Sequence, residues 1–375
     1  MSEATKDAAS RQPIPEAEVQ AALHALHADF VPGQYSVERL YEARASATAF
    51  VGRIRGEDWS LVVKELRPDS AGHPHWQAGR DASHWYYWKR EALLYRSGWL
   101  DQLAPGLRAP HLLHAADRPD GTVALYLEDL RDLPPALSWP LSRYGRLACQ
   151  LGIAQAAMRA HPMLEADWLS HGWLRSYLTV RDADFSVLER PAIFADARVR
   201  HFLPASLRHD LLALRRDRDR FLSLLESMPA TLAHLDLHPG NIFGTDAETL
   251  LVDWAFSGAG AVGEDPGNLV PDAVLDFCVP VEEIGALYEI TRDGYRDGLQ
   301  SGGWAVSRAR LDAALSAAMA AKYAWIGPAL LRTLEDNRAT INRRPLDEAL
   351  PVWAGALRFI LSAAAGARDL GRWAR

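Results

Sequence analysis

The feature that most constrains this chain is one change of hydrophobic rhythm, about a third of the way along. From about Tyr35 to Leu130, apolar residues fall into short β-like runs: ATAFVGRIRG, WSLVVKEL, HLLHAAD and TVALYLEDL. The turn residues Gly56-Glu57-Asp58 and Arg118-Pro119-Asp120-Gly121 separate them, which predicts strands joined by hairpins. Beyond Asp132-Leu133-Pro134-Pro135 the period lengthens to that of a helix, as in SRYGRLACQLGIAQAAMRAH and in much of the chain after about Ser307. One short β island, Asn241 to Trp254, interrupts the helical part. A helix is expected over EAEVQAALHALHADF, and a strongly aromatic one from about Trp76 to Leu100. The expected fold class is α+β, with a small β-rich lobe and a larger, mostly helical one. The expected boundaries are 1–30 for a tail and helix, 31–130 for the small lobe and 131–375 for the large lobe.

Composition narrows the function. A length of 375 residues suits two lobes, and 49% hydrophobic with 24% charged residues excludes wholesale disorder. No run approaches 18 uninterrupted apolar residues, and MSEATKDAASRQPIPEAEVQ has no apolar signal core. The expectation is a cytoplasmic protein without a membrane segment. Cys149 and Cys278 are too few for a disulfide framework or a conventional zinc site. A net charge of −7 argues against a nucleic-acid partner. Between Val262 and Gln300, nine acidic residues stand against Arg292 and Arg296. They form either a solvated helical face or a negative rim that draws a cationic ligand.

The densest polar cluster is His234-Leu235-Asp236-Leu237-His238-Pro239-Gly240-Asn241, flanked by apolar residues on both sides. Burying unpaired polar groups costs about 1–3 kcal/mol each, so these side chains are expected to converge from a loop. With a turn centred on Ala247, Asn241 and Asp253 would oppose each other across the hairpin that follows. An amide oxygen and a carboxylate there suit Mg²⁺, which takes few protein ligands and fills its shell with phosphate and water. Asp236 is placed to accept a hydroxyl proton beside such a site. His234 is expected to brace the loop, and for His238 bracing and a supporting role at the site stay open. Of 41 basic residues only Lys6, Lys64, Lys89 and Lys322 are lysine, so Lys64, inside an apolar strand, stands out. Glu91 shares a helical face with Tyr87, Trp88, Leu94 and Tyr95, and a carboxylate on an apolar face needs a cation. Lys64 is the natural partner.

These residues together resemble the aminoglycoside phosphotransferase and choline kinase-like family, small-molecule relatives of protein kinases. His234-x-Asp236-x4-Asn241 is similar to that family's catalytic loop, and Asp253-Trp254 to its metal-binding aspartate. Gly263-Glu264-Asp265-Pro266 resembles its downstream segment, and Lys64 and Glu91 resemble its strand lysine and helix glutamate. The match runs from about Ser36 to Leu269. It implies a bilobal, protein kinase-like fold with a five-stranded small lobe and a hinge near Glu128–Leu133. LYLEDL, including Glu128 and Leu130, looks like the hinge that binds the purine. The implied reaction is Mg²⁺-dependent transfer of the γ-phosphoryl group of ATP, or GTP, to a small-molecule hydroxyl. The resemblance puts an aminoglycoside-type antibiotic first among acceptors. A nucleoside-type antibiotic, a sugar or an amino alcohol is the alternative, and an inactive nucleotide-binding module the rival from another class.

The sequence also departs from that family. The loop Ala43-Arg44-Ala45-Ser46-Ala47-Thr48 has no glycine, so only the hydroxyls and N–H groups of Ser46 and Thr48 are on offer to phosphate. Trp254-Ala255 follows Asp253 where protein kinases have Phe-Gly. Asn268 stands where relatives often have aspartate, and it is given no catalytic role. Trp76, Trp85, Tyr86, Tyr87 and Trp88 are expected to pack a helix rather than form a ligand cage.

Overall fold

The computed structural model describes residues 14–27, 32–41, 47–68, 76–181 and 185–370. The chain divides into two compact units, residues 1–78 with 110–132 and residues 79–109 with 133–375. This is the two-part α+β architecture that the change of rhythm predicts.

The smaller unit is built on a five-stranded antiparallel sheet. Its order is Ser36–Tyr41, Thr48–Arg55, Ser60–Leu66, Val123–Glu128, Leu112–Asp117. Thr48–Arg55 buries every second residue, as its alternating pattern requires, whereas Val123–Glu128 lies inside the sheet and is buried nearly throughout. The Glu16–Leu26 helix contributes Val19, Ala22 and Leu23 to the same core as Ile54, Leu61, Val63 and Tyr126. Arg118 ties the helix down, donating to Glu18 at 2.8 Å and to Glu65 at 2.8 Å. That helix therefore belongs to the small unit and is not part of a separate 1–30 segment.

The larger unit is mostly helical. Leu141–Ala157 lies along Ile284–Ser301, and the contact is close because a Cβ at Gly298 would stand 2.0 Å from the carbonyl oxygen of Cys149. Two three-stranded sheets and one two-stranded sheet sit among the helices of the described residues. In one three-stranded sheet, Thr249–Leu251 pairs with Ile242–Gly244 and with Leu107–Arg108. In the other, Gly258–Ala261 pairs with Ala230–Ala233 and Ser170–His171. The second sheet was not expected, because its strands have two to four residues and no alternation to read.

The aromatic stretch also differs from expectation. Only Arg90–Arg96 is α-helical, a short 3-10 turn follows at Trp99–Gln102, and the residues before Arg90 form turns and a bridge between Gly79 and Tyr87. Buried Arg90 explains both the turns and the segment's place in the larger unit. Its guanidinium donates to the carbonyls of His84 at 2.7 Å, Trp168 at 2.8 Å, Trp85 at 2.9 Å and Ala255 at 3.2 Å. Burial lowers its pKa to about 10. Trp85 stacks on Phe256, with ring centroids 5.7 Å apart, which is packing within this unit.

The Leu346–Leu370 helix is long and apolar enough to meet a length-and-composition test for a membrane span, contrary to the sequence expectation. Of the tested window, 56% is buried within the protein, as in the core helix of a globular unit.

Candidate active site

The strand Ala230–Ala233 delivers the polar cluster, and the chain leaves it through a sharp bend. Leu235 has a φ of +65°, a left-handed conformation costly for a branched side chain. Asp265, in the first turn of the Glu264–Leu275 helix, holds the bend. One of its oxygens accepts the N–H of Leu235 at 2.8 Å, and the other accepts that of His234 at 2.9 Å. Gln155 donates to the same carboxylate at 2.8 Å and is itself hydrogen-bonded by the Tyr295 hydroxyl. Burial pushes the Asp265 carboxyl up, and the backbone N–H groups of His234 and Leu235 oppose that.

His234 is buried, and its ring is used at both nitrogens. Nδ1 accepts the N–H of Asp236 at 3.3 Å, which leaves Nε2 to donate to the carbonyl of Val252 at 3.0 Å. Burial lowers its pKa, so the ring is neutral. The ring thereby ties the loop to the residue before Asp253. Trp254, after it, donates its backbone N–H to Glu91 Oε1 at 3.3 Å and its indole N–H to Leu251 at 2.8 Å. Asp253, itself left-handed at φ +62°, is thus fixed from both sides.

Asn241 Nδ2 donates to the backbone carbonyl of Asp236 at 3.0 Å and reaches its carboxylate at 3.4 Å. The hairpin is one residue out of the expected register. Leu251 pairs with Ile242, so Asn241 stands opposite Val252 and not Asp253. The cause is the turn: Thr245 donates to the carbonyl of Glu248 at 3.0 Å, which centres the turn between Asp246 and Ala247. Asp253 lies beyond the end of the ladder, in its left-handed backbone conformation.

His238 has Nε2 4.0 Å from Asp236 and Nδ1 3.8 Å from Asp276. Nδ1 also accepts the N–H of Gly240 at 3.2 Å, capping the turn that carries Asn241. Partial burial and the neighbouring Asp272 carboxylate raise Asp276 to about 6. The nine acidic residues of 262–300 do not form one rim. Glu264 and Asp265 are buried, Asp272 pairs with Lys322 at 3.5 Å, and Asp293 and Asp297 pair with Arg292 and Arg296. Only Asp276 faces the loop through His238.

A divalent cation can be tested against this donor set. Among the described residues, no group of three or more His, Cys, Asp or Glu is gathered for a metal. Because Nδ2 of Asn241 faces Asp236, Oδ1 is left accepting no hydrogen bond among the described residues. One amide oxygen and one carboxylate fit Mg²⁺, which completes its shell with phosphate and water, and do not fit zinc.

The other predicted residues lie in the small unit. Lys64 is buried on Ser60–Leu66, opposite Leu125, and Thr48 is buried at the start of its strand. Glu128 donates its backbone N–H to the carbonyl of His111 at 3.0 Å and accepts the His111 N–H on its carboxylate at 3.1 Å, and Leu130 is buried. Between them Asp129, overlooked in the sequence, accepts from Arg53 at 2.8 Å and Ser60 at 2.7 Å and fixes this turn. Ser46 lies outside the described residues.

Neither a protein-family model nor a curated protein matches the sequence. Solved structures do. An aminoglycoside phosphotransferase from Alicyclobacillus acidocaldarius superposes with a TM-score of 0.56 at 14% identity, covering 97% of this chain and 98% of that one. The amicoumacin kinase hAmiN, in complex with AMP-PNP, Ca²⁺ and Ami, gives 0.51 at 15% identity over 89% and 90%. A microcompartment-associated aminopropanol kinase gives 0.51 at 15% identity over 92% and 98%. The chain has the bilobal fold of these small-molecule kinases. Within that kinase fold, the residue missed by sequence reading that matters most is Asp265. In the sequence it stands only within the Gly263-Glu264-Asp265-Pro266 segment, and its hydrogen-bond partners lie about 30 residues upstream.

Proposed function

We propose that this chain transfers the γ-phosphoryl group of ATP, or GTP, to a hydroxyl of a small molecule. The observation that carries the reading is the pinned loop: Asp236 is held beside Asn241, one hydrogen-bonded ring away from Val252, the residue before Asp253. Asp236 accepts the proton of the acceptor hydroxyl as its oxygen bonds to the γ-phosphorus and the bond to the β,γ-bridging oxygen breaks, releasing the nucleoside diphosphate. Asn241 and Asp253 hold Mg²⁺, which, when bound, neutralises the phosphate charge. Lys64 binds the phosphates and Glu91 orients Lys64, while Thr48 and Ser46 offer further phosphate contacts. The turn at Glu128–Leu130 takes the purine. His234 and His238 brace the loop.

The acceptor is an amine-bearing alcohol, with an aminoglycoside-type antibiotic first. Asp276, facing the loop beside His238, favours a cation at that end. The fold shared with an aminopropanol kinase supports an amino alcohol as the second reading. An acceptor panel of neomycin, adenosine, glucose, ethanolamine and choline, coupled to ATP consumption with Mg²⁺, tests this. Turnover with neomycin or ethanolamine that weakens at high ionic strength is expected. Turnover with none of the five, and none with water, would leave only the nucleotide-binding module.

A further inference from the structure

A cavity of about 200 Å³ opens in the larger unit, far more than the about 10–15 Å³ that a single water needs. It lies between the start of the Trp173–Val180 helix, the end of the Arg218–Glu226 helix and the Gly258–Ala261 strand. The sequence leaves room for it, because that strand, Gly-Ala-Gly-Ala, carries no side chain larger than a methyl group. Leu222, Leu225, Met228 and Leu235 line it with apolar surface. Asp236, Asn241 and Asp253 do not line it, so it is distinct from the site described above. Arg175 and Glu226, both exposed, mark its open side, and Arg175 is already paired with Glu226 at 2.8 Å and Asp219 at 3.3 Å.

Two residues of this wall each leave a polar atom without a partner among the described residues. Glu264 is buried, and its carboxylate sits among Gly260, Ala261 and Leu235, which all line the cavity. Its Oε2 accepts the N–H of Ala261 at 3.0 Å, whereas no hydrogen bond reaches Oε1. Burial raises this carboxyl to about 7, and Lys322, which acts against the rise, is paired with Asp272 at 3.5 Å. Trp173, only 3% exposed, packs its ring on Tyr177 with centroids 4.8 Å apart, and its indole N–H has no acceptor. A buried donor without an acceptor and a buried carboxylate without a cation are both costly. An occupant that relieves both carries a cationic amine, an oxygen acceptor and a compact apolar body.

We propose that this cavity is a binding site for a compact amino alcohol, its ammonium group on the Glu264 carboxylate and its oxygen on the Trp173 indole N–H. At the rim Asp219 and Glu226 outnumber Arg175, which favours the approach of a cation.

The test is titration calorimetry on the full chain without nucleotide, at pH 8, where Glu264 is ionised. The probe is trans-2-aminocyclohexanol, with cyclohexanol and cyclohexanecarboxylate as its neutral and anionic counterparts. Wild type is expected to bind the amino alcohol and neither counterpart. Affinity is expected to fall about tenfold or more in Glu264→Gln and about threefold or more in Trp173→Phe, and to stay within about twofold in Asp236→Asn. No binding to wild type up to about 10 mM, equal binding of either counterpart, or undiminished binding by folded Glu264→Gln would overturn the inference. A loss in Asp236→Asn as large as in Glu264→Gln would place the probe at the proposed active site and overturn it too. Where Glu264→Gln melts well below wild type, Trp173→Phe decides: weaker binding supports the inference, and unchanged binding overturns it.

Discussion

Asp265 accepts the backbone N–H of Leu235 at 2.8 Å, holding a leucine in a left-handed conformation one residue before the proposed base. The loop that carries the proposed base is thus shaped by a buried carboxylate whose oxygens accept from His234, Leu235 and Gln155. An asparagine at this position would turn a donor toward an N–H group and forfeit one of the two backbone acceptors. Asp265→Asn is expected to lower kcat at least tenfold and to lower the melting temperature, at a cost of about 2 kcal/mol. Unchanged melting and turnover would show that the bend needs no such anchor.

With Asn241 and Asp253 as its proposed protein ligands, the cation would depend on nucleotide for the rest of its shell. Titration calorimetry should therefore show ATP binding wild type more tightly with Mg²⁺ than with EDTA. Asp253→Asn and Asn241→Ala are expected to shrink that difference by about tenfold while leaving binding in EDTA nearly unchanged. An undiminished Mg²⁺ effect in both variants would move the metal elsewhere.

Glu264 supplies a pH dependence with a definite sign. Burial raises its carboxyl to about 7, against which the N–H of Ala261, at 3.0 Å, acts only partly. A carboxyl raised in the folded state contributes stability that is fully present below its ordinary value near 4.5 and is lost as pH rises through about 7. The loss is of order 3 kcal/mol. Glu264→Gln keeps an acceptor for Ala261 and cannot ionise. Its melting temperature relative to wild type should rise between pH 5 and pH 8, and a flat difference would refute the assignment.

How far the sequence could be read follows from which signals are local. Alternation in ATAFVGRIRG identifies its strand, and the scarcity of lysine singles out Lys64, because both are properties of a few neighbouring residues. The same scarcity marks Lys322, buried in AAMAAKYAWIG. Register was less legible: whether the hairpin turns on Ala247 or half a residue earlier depends on one hydrogen bond, from Thr245 to Glu248. The aromatic run before Arg90 is apolar enough for a helix, but Arg90 draws in the carbonyls of His84 and Trp85 within it, together with those of Trp168 and Ala255 from distant segments, and makes it a set of turns. Asp265 acts on residues 30 positions away, so no pattern near it announces its role.

The central claim is that Asp236 is the group that takes the acceptor proton. Its most direct test is Asp236→Ala, followed by ATP affinity, melting temperature and single-turnover phosphoryl transfer to the best acceptor of the panel. The account predicts nucleotide binding and melting close to wild type, with transfer slower by about a thousandfold or more. Transfer at near wild-type rate by a folded, ATP-binding Asp236→Ala protein would contradict it.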